Sequence, residues 1–206
     1  DQKTFSEVAR EITFAKTLEH ENIMLTLGLE SFDRGWARLI EYGNGEPLSA
    51  LIEAAANNDV QIPLPFAARI MIDLCQGSQH AHERGLGEKG QQAWIHGGLR
   101  PNTVMVSFSG VAKLTGYGAA TLANAREELI SAYTPPEQLI GGLQTATQAS
   151  DVYSLGAILF TLLCNHAPFD GAQDLESAIM TEPPTPPELE GQAADLLQVA
   201  LKAMSK

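Results

Sequence analysis

The chain has 206 residues, 25 acidic against 13 basic side chains, a formal charge of −12 and 44% hydrophobic residues. That is enough for one sizeable domain, or two small ones, with a core, and the apolar content excludes a disordered tail. The acidic surplus excludes a basic stripe that displaces phosphate counterions from nucleic acid, and it argues against adhesion to an anionic membrane surface.

In chain order, Thr4-Phe-Ser-Glu7 has the form of a capping box, and Phe5, Val8, Ile12 and Ala15 follow at helical spacing. This predicts a helix ending near His20. Two strand-like runs, Ile23 to Leu29 and Ala37 to Tyr42, flank a polar turn at Asp33-Arg-Gly35. Gly43-Asn-Gly45 is a break, after which Pro47 is expected to open a helix carrying Leu48, Leu51 and Ile52. A long helix is expected from Phe66 to about His82, with Phe66, Ile70, Leu74, Ser78 and Ala81 on one face. Gly85 to Gln92 reads as a polar loop. Trp94-Ile95, Thr103 to Val106 and Val111 to Leu114 read as short strands and hairpins, and residues 116–150 as irregular chain.

Val152 to Leu163 is apolar on nearly every side, which marks a helix buried at a domain centre. It is too short to span a bilayer. A Pro-rich segment at 183–187 precedes a final helix from about Gln192. Cys75 and Cys164 are far apart in apolar segments, without metal or redox spacing, and are expected to be buried free thiols of a cytoplasmic protein. No signal peptide is visible, and the chain reads as an excised piece of something longer. His80 and His82, two apart on a helix, do not form a metal pair, and His166 is expected to be structural. The order of elements predicts an α+β fold with segregated layers.

Three segments are more specific. His96-Gly-Gly-Leu-Arg-Pro-Asn-Thr-Val-Met-Val106 resembles the protein kinase catalytic loop, His-Arg-Asp-Leu-Lys-Pro-x-Asn followed by an apolar strand. Val111-Ala-Lys-Leu-Thr-Gly-Tyr-Gly118 resembles the strand leading into that family's Asp-Phe-Gly motif. Tyr133-Thr-Pro-Pro-Glu-Gln-Leu139 with Ser150-Asp-Val-Tyr-Ser-Leu-Gly156 resembles its Ala-Pro-Glu region and the central helix after it. All three occur in order and in register. The chain thus resembles the eukaryotic-type protein kinases found in bacteria. The resemblance implies a kinase-like fold over 1–206, with an N-lobe remnant at 1–42 and a mainly helical C-lobe at 43–206. It places a glycine-rich loop and a lysine-bearing strand upstream, and an arginine partner for Glu137 downstream.

The resemblance also assigns roles, and here the chain departs from the family. The catalytic base position is Gly98, the position of the metal-binding aspartate is Gly116, and that of the metal-binding asparagine is Thr103. Phosphoryl transfer relies on carboxylates to orient the hydroxyl and hold Mg²⁺, and none stands at these positions. Gly97 replaces an arginine that grips a phosphorylated segment. Arg100 keeps a cation at the catalytic-loop lysine position. Glu11, Ile40, Glu41, Gly43, Leu48 and Met105 fall where a nucleotide pocket is expected, with Ile40 as gatekeeper and Leu48 and Met105 sandwiching the base. Ala15, Thr26, Tyr117 and His96 form the expected packing spine, tethered to Asp151, whose carboxylate is expected to accept backbone N–H groups near His96. Ile158 and Leu162 match a second spine. Thr121, Ser131 and Thr134 are candidate phosphoacceptors.

The expectation is therefore a pseudokinase acting as a regulatory or interaction module. No metal or cofactor is expected, although ATP held without Mg²⁺ stays open. The partner is another protein or neighbouring domains of a longer chain, with no nucleic acid and no membrane contact from this segment. The alternative is a Ser/Thr kinase with weak or unorthodox ATP-dependent transfer, or a nucleotide-binding switch.

Overall fold

The computed structural model describes residues 2–33, 35–84, 94–117 and 130–205. Helix α1, Gln2–Ala15, buries Val8, Ile12 and Ala15, spaced four and three apart on one stripe. The side chains of the expected capping box lie outside the described residues, as do the 85–92 loop, Gly118 and Thr121. Strands β1 (Thr26–Phe32) and β2 (Gly35–Ile40) form an antiparallel hairpin, with Phe32 opposite Gly35, Leu29 opposite Arg38, and an irregularity between Thr26 and Gly28. Both strands lie several residues from the expected runs. The reason is that Ile23 and Met24 are used elsewhere: Ile23 bridges Leu114 in parallel, and Met24 N–H donates to the Leu114 carbonyl.

Strands β3 (Gly45–Pro47), β4 (Val104–Ser107) and β5 (Ala112–Leu114) form a small antiparallel sheet in that order, with Pro47 opposite Met105 and Val106 opposite Ala112. Two buried side chains hold both sides of Ala112. The Asp73 carboxylate accepts its N–H at 2.9 Å, and the Asn22 amide donates to its carbonyl at 3.0 Å. Both residues are 1% exposed, and each satisfies a buried backbone group that otherwise has no water.

Pro47 caps helix α2, Leu48–Asn57. Helix α3, Leu64–Arg84, buries Ala67, Ile70, Leu74, Ser78 and Ala81, close to the expected face. Cys75 falls off that stripe and is exposed, so only Cys164 is a buried thiol, and burial pushes its pKa up to about 11. Helix α4, Pro136–Gly141, continues into a 3-10 turn at 142–145, within chain expected to be irregular.

Helix α5, Gln148–Cys164, buries nearly every residue from Ser150 onward; Val152 is the exception. It packs against α3 and against α7, Gly191–Ala203. Helix α6, Leu175–Thr181, was not foreseen, although Asp174 caps it by accepting the Ser177 N–H at 3.0 Å. The resulting order, one helix, a hairpin, a small sheet and then a helical body around α5, is an α+β fold with a reduced β-rich lobe.

Candidate functional site

The site is organised by Asp151 in the first turn of α5. Its carboxylate, 1% exposed, accepts the His96 N–H at 2.9 Å through Oδ2 and the Gly97 N–H at 2.9 Å through Oδ1. These are the donors that the sequence reading assigned to it. The His82 imidazole adds a third contact, Nε2 to Oδ2 at 2.8 Å. A charged acceptor with three donors is the arrangement that makes a buried carboxylate tolerable. It also explains why Trp94-Ile95 is not a strand: the next two N–H groups are committed to α5 instead of a ladder. The sequence gives His82 no such role, because spacing on a helix excludes a metal pair with His80 but does not show what faces His82. Its signal is its position four residues from buried Ser78 on the same face of α3.

The loop from 97 to 103 is shaped by glycines in three different ways. Gly97 has φ +67°, and a Cβ there would lie 2.5 Å from Leu143 Cδ1. The left-handed conformation disfavours a side chain there, and the tip of Leu143 would also have to shift. Its carbonyl accepts from the Gln138 amide at 2.8 Å. At Gly98, by contrast, a Cβ would meet only His96 Nδ1, at 4.0 Å, so the position is open. Gly116 has φ +109°, and a Cβ would approach His96 Nε2 to 3.3 Å.

Thr103 closes a 3-10 turn over Pro101–Thr103. Its hydroxyl accepts the Arg100 N–H at 3.0 Å and donates to the Arg100 carbonyl at 2.8 Å. A hydroxyl committed this way has its proton and one lone pair turned into its own turn, not out to a ligand. Arg100 is half-buried beside it. A cavity of about 200 Å³ opens next to this loop, with Gly97, Gly98, Arg100, Tyr133, Leu139 and Leu143 among its mostly apolar walls.

Ala15, Thr26, His96 and Tyr117 are each no more than 5% exposed. The His96 and Tyr117 rings meet edge to face, 4.7 Å apart. His96 Nε2–H donates to the Thr115 carbonyl at 2.9 Å. Burial pushes the His96 imidazole below its usual range, with Asp151 opposing. Burial likewise pushes the Tyr117 phenol far up. Glu137, at the start of α4, accepts from the Ser150 hydroxyl. The sequence reading gave no role to Arg38, whose Nη1 donates to the Tyr117 carbonyl at 2.6 Å.

On the other side, the chain from Ile40 to Gly43 links hairpin and helical body. Ile40 is 38% exposed; Met105 is half-buried, and its Cγ would lie 3.1 Å from a Cβ on Gly43. Leu48 requires a correction. It is fully buried in the main core, so it offers no surface to a base. Glu41 is held by the Lys113 ammonium at 2.6 Å and by the Leu25 N–H at 3.2 Å, while its own N–H donates to Leu25 at 2.9 Å. Glu11 lies half-buried on α1. Among the described residues, no group of three or more His, Cys, Asp or Glu side chains is placed to hold a metal, and no helix is long and apolar enough to cross a membrane.

The protein kinase domain model matches residues 1–206. The chain belongs to the protein kinase family. It is 31% identical over 87% of its length to the serine/threonine-protein kinase PrkC of Bacillus subtilis. It is 28% identical over its full length to the serine/threonine-protein kinase PknB of Mycobacterium leprae, and 28% over 98% to the tyrosine-protein kinase MasK of Myxococcus xanthus. It spans about a quarter to a third of the length of these relatives.

For a protein kinase domain, the geometry divides in two. The frame around Asp151, His96 and Tyr117 is closed and bonded. The positions that the resemblance assigns to chemistry carry no carboxylate, and the hydroxyl at 103 is already engaged. Mg²⁺ demands several hard oxygens in a near-octahedral shell, and the residues present do not fit it.

Proposed function

We propose that this protein kinase domain is a pseudokinase, a signalling module that presents its surface to a protein partner or to neighbouring domains without transferring phosphate. The observation that carries this reading is the backbone of Gly116. At φ +109° and 3.3 Å from His96 Nε2, the place of the metal-binding aspartate has settled into a conformation that suits glycine. The empty position at Gly98 and the engaged hydroxyl of Thr103 support the same conclusion. Arg100 alone leaves a cation without the base or the metal that transfer needs. Tyr133 supports an ordered interaction surface. Its hydroxyl lies 3.2 Å from Thr161 Oγ1, and its carbonyl accepts from Ser154 at 2.9 Å, so the wall of the 200 Å³ cavity is tied to α5. Ser131 and Thr134 face each other in the same wall, with their hydroxyls 3.4 Å apart. The free cysteines are consistent with a cytoplasmic place.

The test is nucleotide binding and γ-phosphate transfer by the complete domain, with Mg²⁺ and with Mn²⁺. We expect neither metal-dependent binding nor turnover, and Gly98→Asp with Gly116→Asp is expected not to create it. A thermal shift with magnesium ATP, together with turnover lost in Arg100→Ala, establishes the weak-kinase alternative instead. A shift without turnover establishes a nucleotide-binding switch.

A further inference from the structure

Arg38 stands on β2, opposite Leu29, in a hairpin whose side chains are mostly exposed. Arg38 itself is half-buried, and burial pushes its guanidinium below its ordinary range. A guanidinium is held out of water only where a good acceptor receives it. Here the acceptor is the Tyr117 backbone carbonyl at 2.6 Å, a short charge-assisted bond. The same charge is near enough to His96 to help keep that imidazole neutral.

The segment it reaches is held by the protein's own groups on either side of Gly116. Thr115 N–H donates to the Thr103 carbonyl at 2.9 Å, and the Thr115 carbonyl receives His96 Nε2–H at 2.9 Å. Gly116 makes its left-handed turn, and the Tyr117 ring packs on His96. The Tyr117 carbonyl receives Arg38. We propose that Arg38 is a clamp that fixes the Thr115-Gly116-Tyr117 segment to the β1–β2 hairpin without nucleotide or metal. Hairpin and segment thereby move as one unit. Arg38 acts through Tyr117 and is a positioning residue. Its role holds whether or not the domain transfers phosphate.

The test is hydrogen exchange on the full chain for wild type, Arg38→Met, which keeps bulk but removes the donors, and Arg38→Lys, which restores a charged donor. In Arg38→Met, amides 114–117 are expected to exchange about ten-fold faster while amides 153–163 of α5 stay unchanged, the scale of one lost charged hydrogen bond. Arg38→Lys is expected to recover part of that protection, an effect that loss of packing alone does not give. Magnesium ATP is expected to leave the wild-type rates unchanged. The proposal is overturned by unchanged exchange at 114–117 in Arg38→Met, by equal acceleration in α5, by Arg38→Lys matching Arg38→Met, or by about ten-fold slowing with magnesium ATP. If Arg38→Met does not fold, Arg38→Lys is read against wild type: selective acceleration at 114–117 supports the clamp, and unchanged exchange overturns it.

Discussion

The first turn of α5 and the loop from His96 to Thr103 are neighbours joined by two hydrogen bonds, yet they have been shaped by different demands. At Asp151 the buried carboxylate takes three hydrogen-bonding contacts. Glycines stand at 97, 98 and 116, three positions where the family resemblance places functional side chains, and those glycines are not equivalent. Two have become structural requirements in their own right, whereas Gly98 is simply vacant of a side chain. The frame around Asp151 is satisfied without side chains at these positions, because packing and backbone hydrogen bonding serve folding and not phosphate handling.

The comparison is most exposed to failure at Asp151. Asp151→Ala strands two buried N–H groups and the His82 contact, and is expected to lower stability by about 3 kcal/mol in urea unfolding. A neutral result would show the carboxylate to be an ordinary helix cap. Gly97→Ala is expected to cost about 2 kcal/mol, since it meets both the positive φ and Leu143; coupling it with Leu143→Ala should relieve the steric part. Gly116→Asp is expected to cost about 1 kcal/mol or more, with His96 3.3–3.4 Å from the new Cβ.

pH gives a further test. The folded-state pKa of His96 lies below its unfolded value, so below about pH 6.5 the unfolded chain takes up a proton that the fold resists. Stability is expected to fall as pH drops through that region, and the melting temperature at pH 7.5 should exceed that at pH 5.5. His80, also lowered by burial, works in the same direction. His96→Gln should flatten the dependence; an unchanged profile would place its source elsewhere. The smallest effect is expected at Gly98. Gly98→Asp has room and should change stability by less than about 0.5 kcal/mol. A large loss there would erase the distinction among the glycines.

Much of this division was legible in the residues. The all-round apolar run after Asp151 announced a buried helix, and the spacing of His96, Gly98, Thr103 and Gly116 pointed to the protein kinase family. Three features were not legible, for physical reasons. Arg38 on an exposed hairpin looks like a solvated cation, and only tertiary placement turns it inward. Leu48 looks the same whether it faces a base or the core, because periodicity counts faces and not what covers them. Asn22 and Asp73 hold one residue of β5 from distant parts of the chain, and such side-chain to backbone bonds leave no periodic trace. The hairpin register slipped for a related reason: Ile23 and Met24 have strand composition, but their partner was Leu114.

One contact at the top of the molecule has a use of its own. Phe14, at the end of α1, stacks on Trp94 just ahead of the loop, with ring centroids 3.9 Å apart and planes at 22°. The other tryptophan, Trp36, sits 56% exposed on β2. The chain thus carries two optical probes in contrasting surroundings. Emission from Trp94 reports whether α1 is seated on the helical body, and emission from Trp36 reports the water around the hairpin. Trp36→Phe leaves a protein whose fluorescence follows the docking of a single helix.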